Sequence, residues 1–128
     1  MRHRPPRVVD ASAMVAFFDA HPRLMALLDQ ADAGRLNLLL PTTAIADAQA
    51  HIRVSLDGWH ALLFSPGVRS LPLTEHAAID VGAWPGDLAT RHTVHEAQAL
   101  RAAVVTCDPG RYRGFDVSLL VIRPEGTA

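Results

Sequence analysis

The chain contains no lysine at all: its twelve basic residues are all arginine. That absence excludes a Schiff-base lysine, a P-loop lysine and the lysine partner of a receiver domain's acidic pocket. Arginine keeps its charge and can grip phosphate through two parallel hydrogen bonds, so nucleic-acid contact stays open. The formal net charge of −1 nevertheless shows no basic excess of the kind a nucleic-acid binder usually carries. Cysteine occurs once, at Cys107, which excludes an internal disulfide and fits a reducing, cytoplasmic setting. Long apolar runs are missing too. No stretch approaches the ~18 apolar residues of a membrane span, and Met1 to Pro6 is followed by only a short apolar run before Asp10, so no signal peptide and no membrane partner is read.

What is present suits a folded domain. At 128 residues, 49% hydrophobic and 20% charged, the chain is long enough for one core and leaves little room for a disordered tail. It reads as a single domain over 1–128, with 1–6 and 124–128 as flexible ends. Residues 7–9, 36–40, 68–73, 102–106 and 119–122 are short apolar strand candidates. Between them lie helical stretches: 13–18, one from His21-Pro22 closed by Gly34, one after Pro41 capped by Thr42 or Thr43, 55–63, 75–84, and one after Pro85-Gly86-Asp87 running through Arg101. Strands alternating with helices predict βαβ units, hence an α/β fold with a parallel sheet.

Two strand candidates end alike, in Val8-Val9-Asp10-Ala11-Ser12 and Val104-Val105-Thr106-Cys107-Asp108. Ligands of open parallel sheets bind outside the carboxyl ends of the strands, so both carboxylates are candidates for that crevice. Carboxylates held close together repel unless a proton or cation compensates, and a hard divalent cation takes oxygen ligands. Such an ion can activate water for phosphodiester hydrolysis. An Asp after a strand is also an ordinary helix cap or turn former.

In order and register the motifs resemble the PIN domain, the fold of VapC-type toxins and related metal-dependent ribonucleases. The matching segments are Val8 to Ser12, Pro41-Thr42-Thr43-Ala44-Ile45-Ala46-Asp47-Ala48, and Val104 to Pro109, and the resemblance runs from Val8 to about Ile122. It implies a three-layer α/β fold with a central parallel sheet of four or five strands and helices on both faces. It also implies a Mg²⁺- or Mn²⁺-dependent endoribonuclease, with Asp10 and Asp108 as principal metal ligands and Asp47 in support. Ser12 and Thr106 would orient carboxylates. RNA as substrate, a small antitoxin as partner and a homodimer belong to the same implication. The chain departs from the pattern twice: Asp47 stands where the family usually has Glu, and Thr90 falls at the usual third acid. Asp87, three residues earlier, either substitutes for that acid or simply caps the helix. These departures motivate a competing class, a catalytically impaired PIN-fold binding or regulatory protein.

Arg91, Arg111 and Arg113 lie near Asp87 and Asp108 in sequence and are candidate phosphate contacts, with solvated surface charge as the alternative. Among the seven histidines, His92 and His95 have metal-ligand spacing without convincing further ligands. His92, close to the third-acid position, is a candidate substrate contact. Trp59 and Trp84 read as packing residues, and Cys107 is given no chemistry.

Overall fold

The computed structural model describes residues 4–124, so residues 1–3 and 125–128 of the flexible ends expected at 1–6 and 124–128 lie outside the described residues. In chain order the elements are β1 (Pro6–Val9), α1 (Ala11–Phe18), α2 (Pro22–Asp32), β2 (Asn37–Pro41), α3 (Thr42–Ile52), α4 (Leu56–Leu63), β3 (Val68–Leu71), α5 (Glu75–Val81), α6 (Leu88–Leu100), β4 (Ala103–Thr106), a 3-10 turn (Pro109–Tyr112) and β5 (Leu119–Val121). All five strands run parallel in the order β3-β2-β1-β4-β5, as the α/β reading requires.

The strands are continuous apolar runs because both faces of the sheet are covered. Val9, Leu38, Leu40 and Val105 point into a core shared with α1 to α4, where Met14, Leu24, Ala44, Ala48 and Leu62 meet them. Val8, Leu39 and Val104 point the other way, against Val94 and Ala97 of α6 and against Tyr112. Register explains the segregation: Val8 is paired with Leu39 and Val104, and Val9 with Val105, so residues of like parity share a face. Helices therefore lie on both sides, and the expected three-layer architecture is present.

Four local expectations need correction. Pro6, placed in the flexible end, is the first residue of β1. Neither Thr42 nor Thr43 caps α3; Pro41 holds that position without a side-chain bond, and the Thr43 hydroxyl is drawn instead to His92 Nδ1 at 2.7 Å. The helix expected to reach Trp84 stops at Val81, where Gly82 forms the cap and Arg91 draws off the Val81 and Gly82 carbonyls. The third strand ends at Leu71, two residues early. Gly67, at the entry to β3, has φ +78°, and a Cβ there would lie 2.5 Å from the Ala31 carbonyl oxygen, so only glycine lets the α4–β3 turn pass this close to α2.

Candidate functional site: an acidic crevice closed by Arg111 and Tyr112

The chain builds β1, β2 and β3 outward on one side, then crosses through α5 and α6 to place β4 on the other side of β1. The order of strands therefore reverses between β1 and β4, the place where open α/β sheets bind ligands. Asp10 ends β1 there, its backbone N–H donating to Val105 O at 3.2 Å. Asp108 follows β4 on the same edge.

Asp10 is almost fully buried, at 3% exposure. Its Oδ1 accepts from the Ala13 backbone N–H at 2.9 Å, capping α1, and from Ser12 Oγ at 2.8 Å. Its Oδ2 accepts from the Tyr112 hydroxyl at 2.6 Å. Burial together with the Asp10 charge pushes the Tyr112 pKa well above its ordinary value, so the phenol remains a donor at any physiological pH. Ser12 thus orients a carboxylate as expected. Thr106 does not: its Oγ1 accepts from the Asp108 backbone N–H at 2.9 Å and sits 3.3 Å from Ser12 Oγ, so it fixes the Asp108 main chain rather than the carboxylate.

The three remaining acids meet at one side chain. Arg111 Nε donates to Asp108 Oδ2 at 3.1 Å, and its Nη1 reaches Asp87 Oδ2 at 3.4 Å and Asp47 Oδ2 at 3.5 Å. Partial burial works against the guanidinium charge, but these three carboxylates outweigh it and raise the Arg111 pKa still further. Asp87 does two things at once, because Oδ1 caps α6 by accepting from Thr90 N–H at 2.8 Å while Oδ2 faces Arg111. Burial alone would raise the Asp87 pKa; the Thr90 N–H and the Arg111 charge overcome this and lower it.

One candidate substrate contact is corrected by its surroundings. His92 is fully buried, with Nδ1 on Thr43 and Nε2 3.4 Å from Glu96 Oε1, so it pins α3 to α6 and cannot touch a substrate. Burial lowers its pKa, against the opposing pull of Glu96, and keeps the ring neutral. Arg91 donates through Nη1 to the Val81 and Gly82 carbonyls at the end of α5. Of the histidine pair, His95 Nε2 meets Asp80 Oδ2 at 3.1 Å, while its Nδ1 lies 3.9 Å from the same Glu96 Oε1 that His92 Nε2 approaches at 3.4 Å. Tyr112 escaped the sequence reading. Its signal was an aromatic hydroxyl four residues after Asp108, at the end of a Pro-Gly turn whose tightness folds it back over β1.

In this arrangement Asp47, Asp87 and Asp108 all face the Arg111 guanidinium. The space bounded by Asp10, Thr90, Thr93, Arg111 and Tyr112 is too small to admit a water molecule. Thr90, buried at the place of the usual third acid, offers a hydroxyl with no partner among the described residues. Among the described residues no three His, Cys, Asp or Glu side chains are arranged to hold a metal ion. Charge compensation comes from Arg111.

The chain matches no family model and no curated protein. Among solved structures it is similar to the crystal structure of PAE2754 from Pyrobaculum aerophilum, at 20% identity over 90% of this chain and 83% of that one, with a TM-score of 0.50. The likeness is one of fold. Among the described residues no helix is long and apolar enough to cross a membrane.

Proposed function

We propose that this chain is a PIN-like protein in which an internal arginine has taken the place of the metal, and that it works as a binding module rather than as a hydrolase. The observation that carries this reading is Arg111 bridging Asp47, Asp87 and Asp108 while Tyr112 closes Asp10. Four carboxylates against one guanidinium leave the crevice negative, and Asp87 and Asp108 are each more than half exposed. A negative rim of this kind attracts cations and steers them inward. The partner class that suits it is a small protein with an arginine-rich segment, consistent with the antitoxin that the family resemblance implies. Fluorescence titration with an arginine-rich peptide tests this. Binding is expected to weaken with salt and in Asp87→Asn/Asp108→Asn; no binding, or binding indifferent to both, refutes it.

A second reading is a Mg²⁺- or Mn²⁺-dependent endoribonuclease, for which the resemblance also implies a homodimer. It is favoured by the convergence of Asp47, Asp87 and Asp108 at the topological switch point, and by the one-third exposure of Arg111, whose rotation would free three carboxylates. Cleavage of a mixed RNA pool with added Mn²⁺, abolished by chelation and by Asp10→Asn, would establish it over the first.

A further inference from the structure

The end of the sheet opposite the acidic crevice carries a second cavity, of about 390 Å³, lined by Arg4, Pro6, Asn37, Leu39, Arg69 and Leu100 among others. Register places Pro6 beside Asn37 and Leu39 beside Arg69, so these four side chains share the face of the sheet that α6 covers. α6 ends at Leu100, and the lower part of β2 and the edge strand β3 beyond it is left open. The floor is apolar and the walls are cationic. The Arg4 guanidinium lies against Gly34, where a Cβ would be 3.3 Å from it, so the missing side chain gives that arginine its seat. Neither Arg4 nor Arg69 has a carboxylate or a hydrogen-bond acceptor among the described residues.

An arginine on a protein surface is ordinarily a solvated charge, and one alone would mean nothing. Here two arginines without a counter-charge among the described residues line one concavity together with Asn37, Leu39 and Leu100. Guanidinium suits phosphate, to which it donates two parallel hydrogen bonds. The apolar floor has no use for a bare anion, and the volume falls in the ~300–1,000 Å³ range of small-molecule pockets. We propose that this cavity binds a nucleoside monophosphate, with Arg4 and Arg69 on the phosphate, the ring system over Leu39 and Leu100, and Asn37 at a polar edge of the ring. This site is separate from the acidic crevice and does not depend on how that crevice functions.

Calorimetric titration of the full-length chain with adenosine monophosphate, adenosine and inorganic phosphate tests it, at low salt and with circular dichroism to confirm folding. Saturable binding of the monophosphate is expected, at least tenfold tighter than either fragment. Arg4→Ala and Arg69→Ala should each weaken it, and Arg69→Glu should abolish it. Arg123→Ala, an exposed arginine outside the cavity, should leave it unchanged. Absence of binding, or binding equally strong in Arg69→Glu, overturns the site. Inorganic phosphate binding as tightly as the monophosphate overturns the ligand class.

Discussion

Replacing Arg111 with alanine removes one guanidinium from three carboxylates at once. The three contacts are 3.1, 3.4 and 3.5 Å long, and the acids' side chains are between 33% and 57% exposed, so each is a screened pair rather than a buried one. Exposed pairs contribute roughly 0.2–1 kcal/mol each, which puts the loss near 1–2 kcal/mol. Repulsion among Asp47, Asp87 and Asp108, no longer compensated, adds to it. For a domain of this size a loss of that order lowers Tm by about 3–8 °C. Thermal unfolding followed by circular dichroism at low salt reads the effect directly. The deficit should shrink in high salt, where repulsion is screened, and should shrink further on adding Mn²⁺, which replaces the lost cation. Arg111→Ala melting with the wild type at low salt, with no response to Mn²⁺, would refute the idea that Arg111 neutralises the crevice.

Tyr112→Phe strips the buried Asp10 Oδ2 of its donor, and a lost bond to a charged group predicts about 1.5–3 kcal/mol of destabilisation in urea melts. A smaller loss would mean that Asp10 finds another partner. Gly67→Ala combines a left-handed φ with a 2.5 Å approach to Ala31 O and should cost more than ~1 kcal/mol, whereas Gly114→Ala, whose Cβ meets nothing within 4 Å, should cost less. His92 has a lowered pKa in the fold, so the unfolded chain takes up its proton first. Its contribution to stability is therefore complete above the ordinary value of 6.5 and is lost as pH falls from there toward the folded pKa. A Tm–pH profile between 8 and about 5 should flatten in His92→Gln, because that side chain does not titrate.

The fold was legible where pattern and topology agree. Apolar runs ending in Asp10 and Asp108 marked the two central strands, and burial on both faces explains why those runs lack alternation. The crevice followed from the same two strands. Its chemistry was less legible, because the decisive partner atoms come from side chains whose direction depends on a four-residue turn. Arg111 looked like a phosphate contact and Tyr112 like nothing in particular, until Pro109–Tyr112 folded both back over the carboxylates. His92 misled for the opposite reason. Spacing along α6 gave its position on the helix but not that it would be buried against Thr43 of α3. Asp87 was legible as the cap of α6, which its Oδ1 provides, while the contact of its Oδ2 with Arg111 was not foreseen.

The most direct test of an arginine in place of the metal is a Mn²⁺ titration of the wild type beside Arg111→Ala and Asp10→Asn, followed by water-proton relaxation. No saturable binding by the wild type and its appearance in Arg111→Ala are the predicted results. Saturable binding by the wild type that disappears in Asp10→Asn would contradict them.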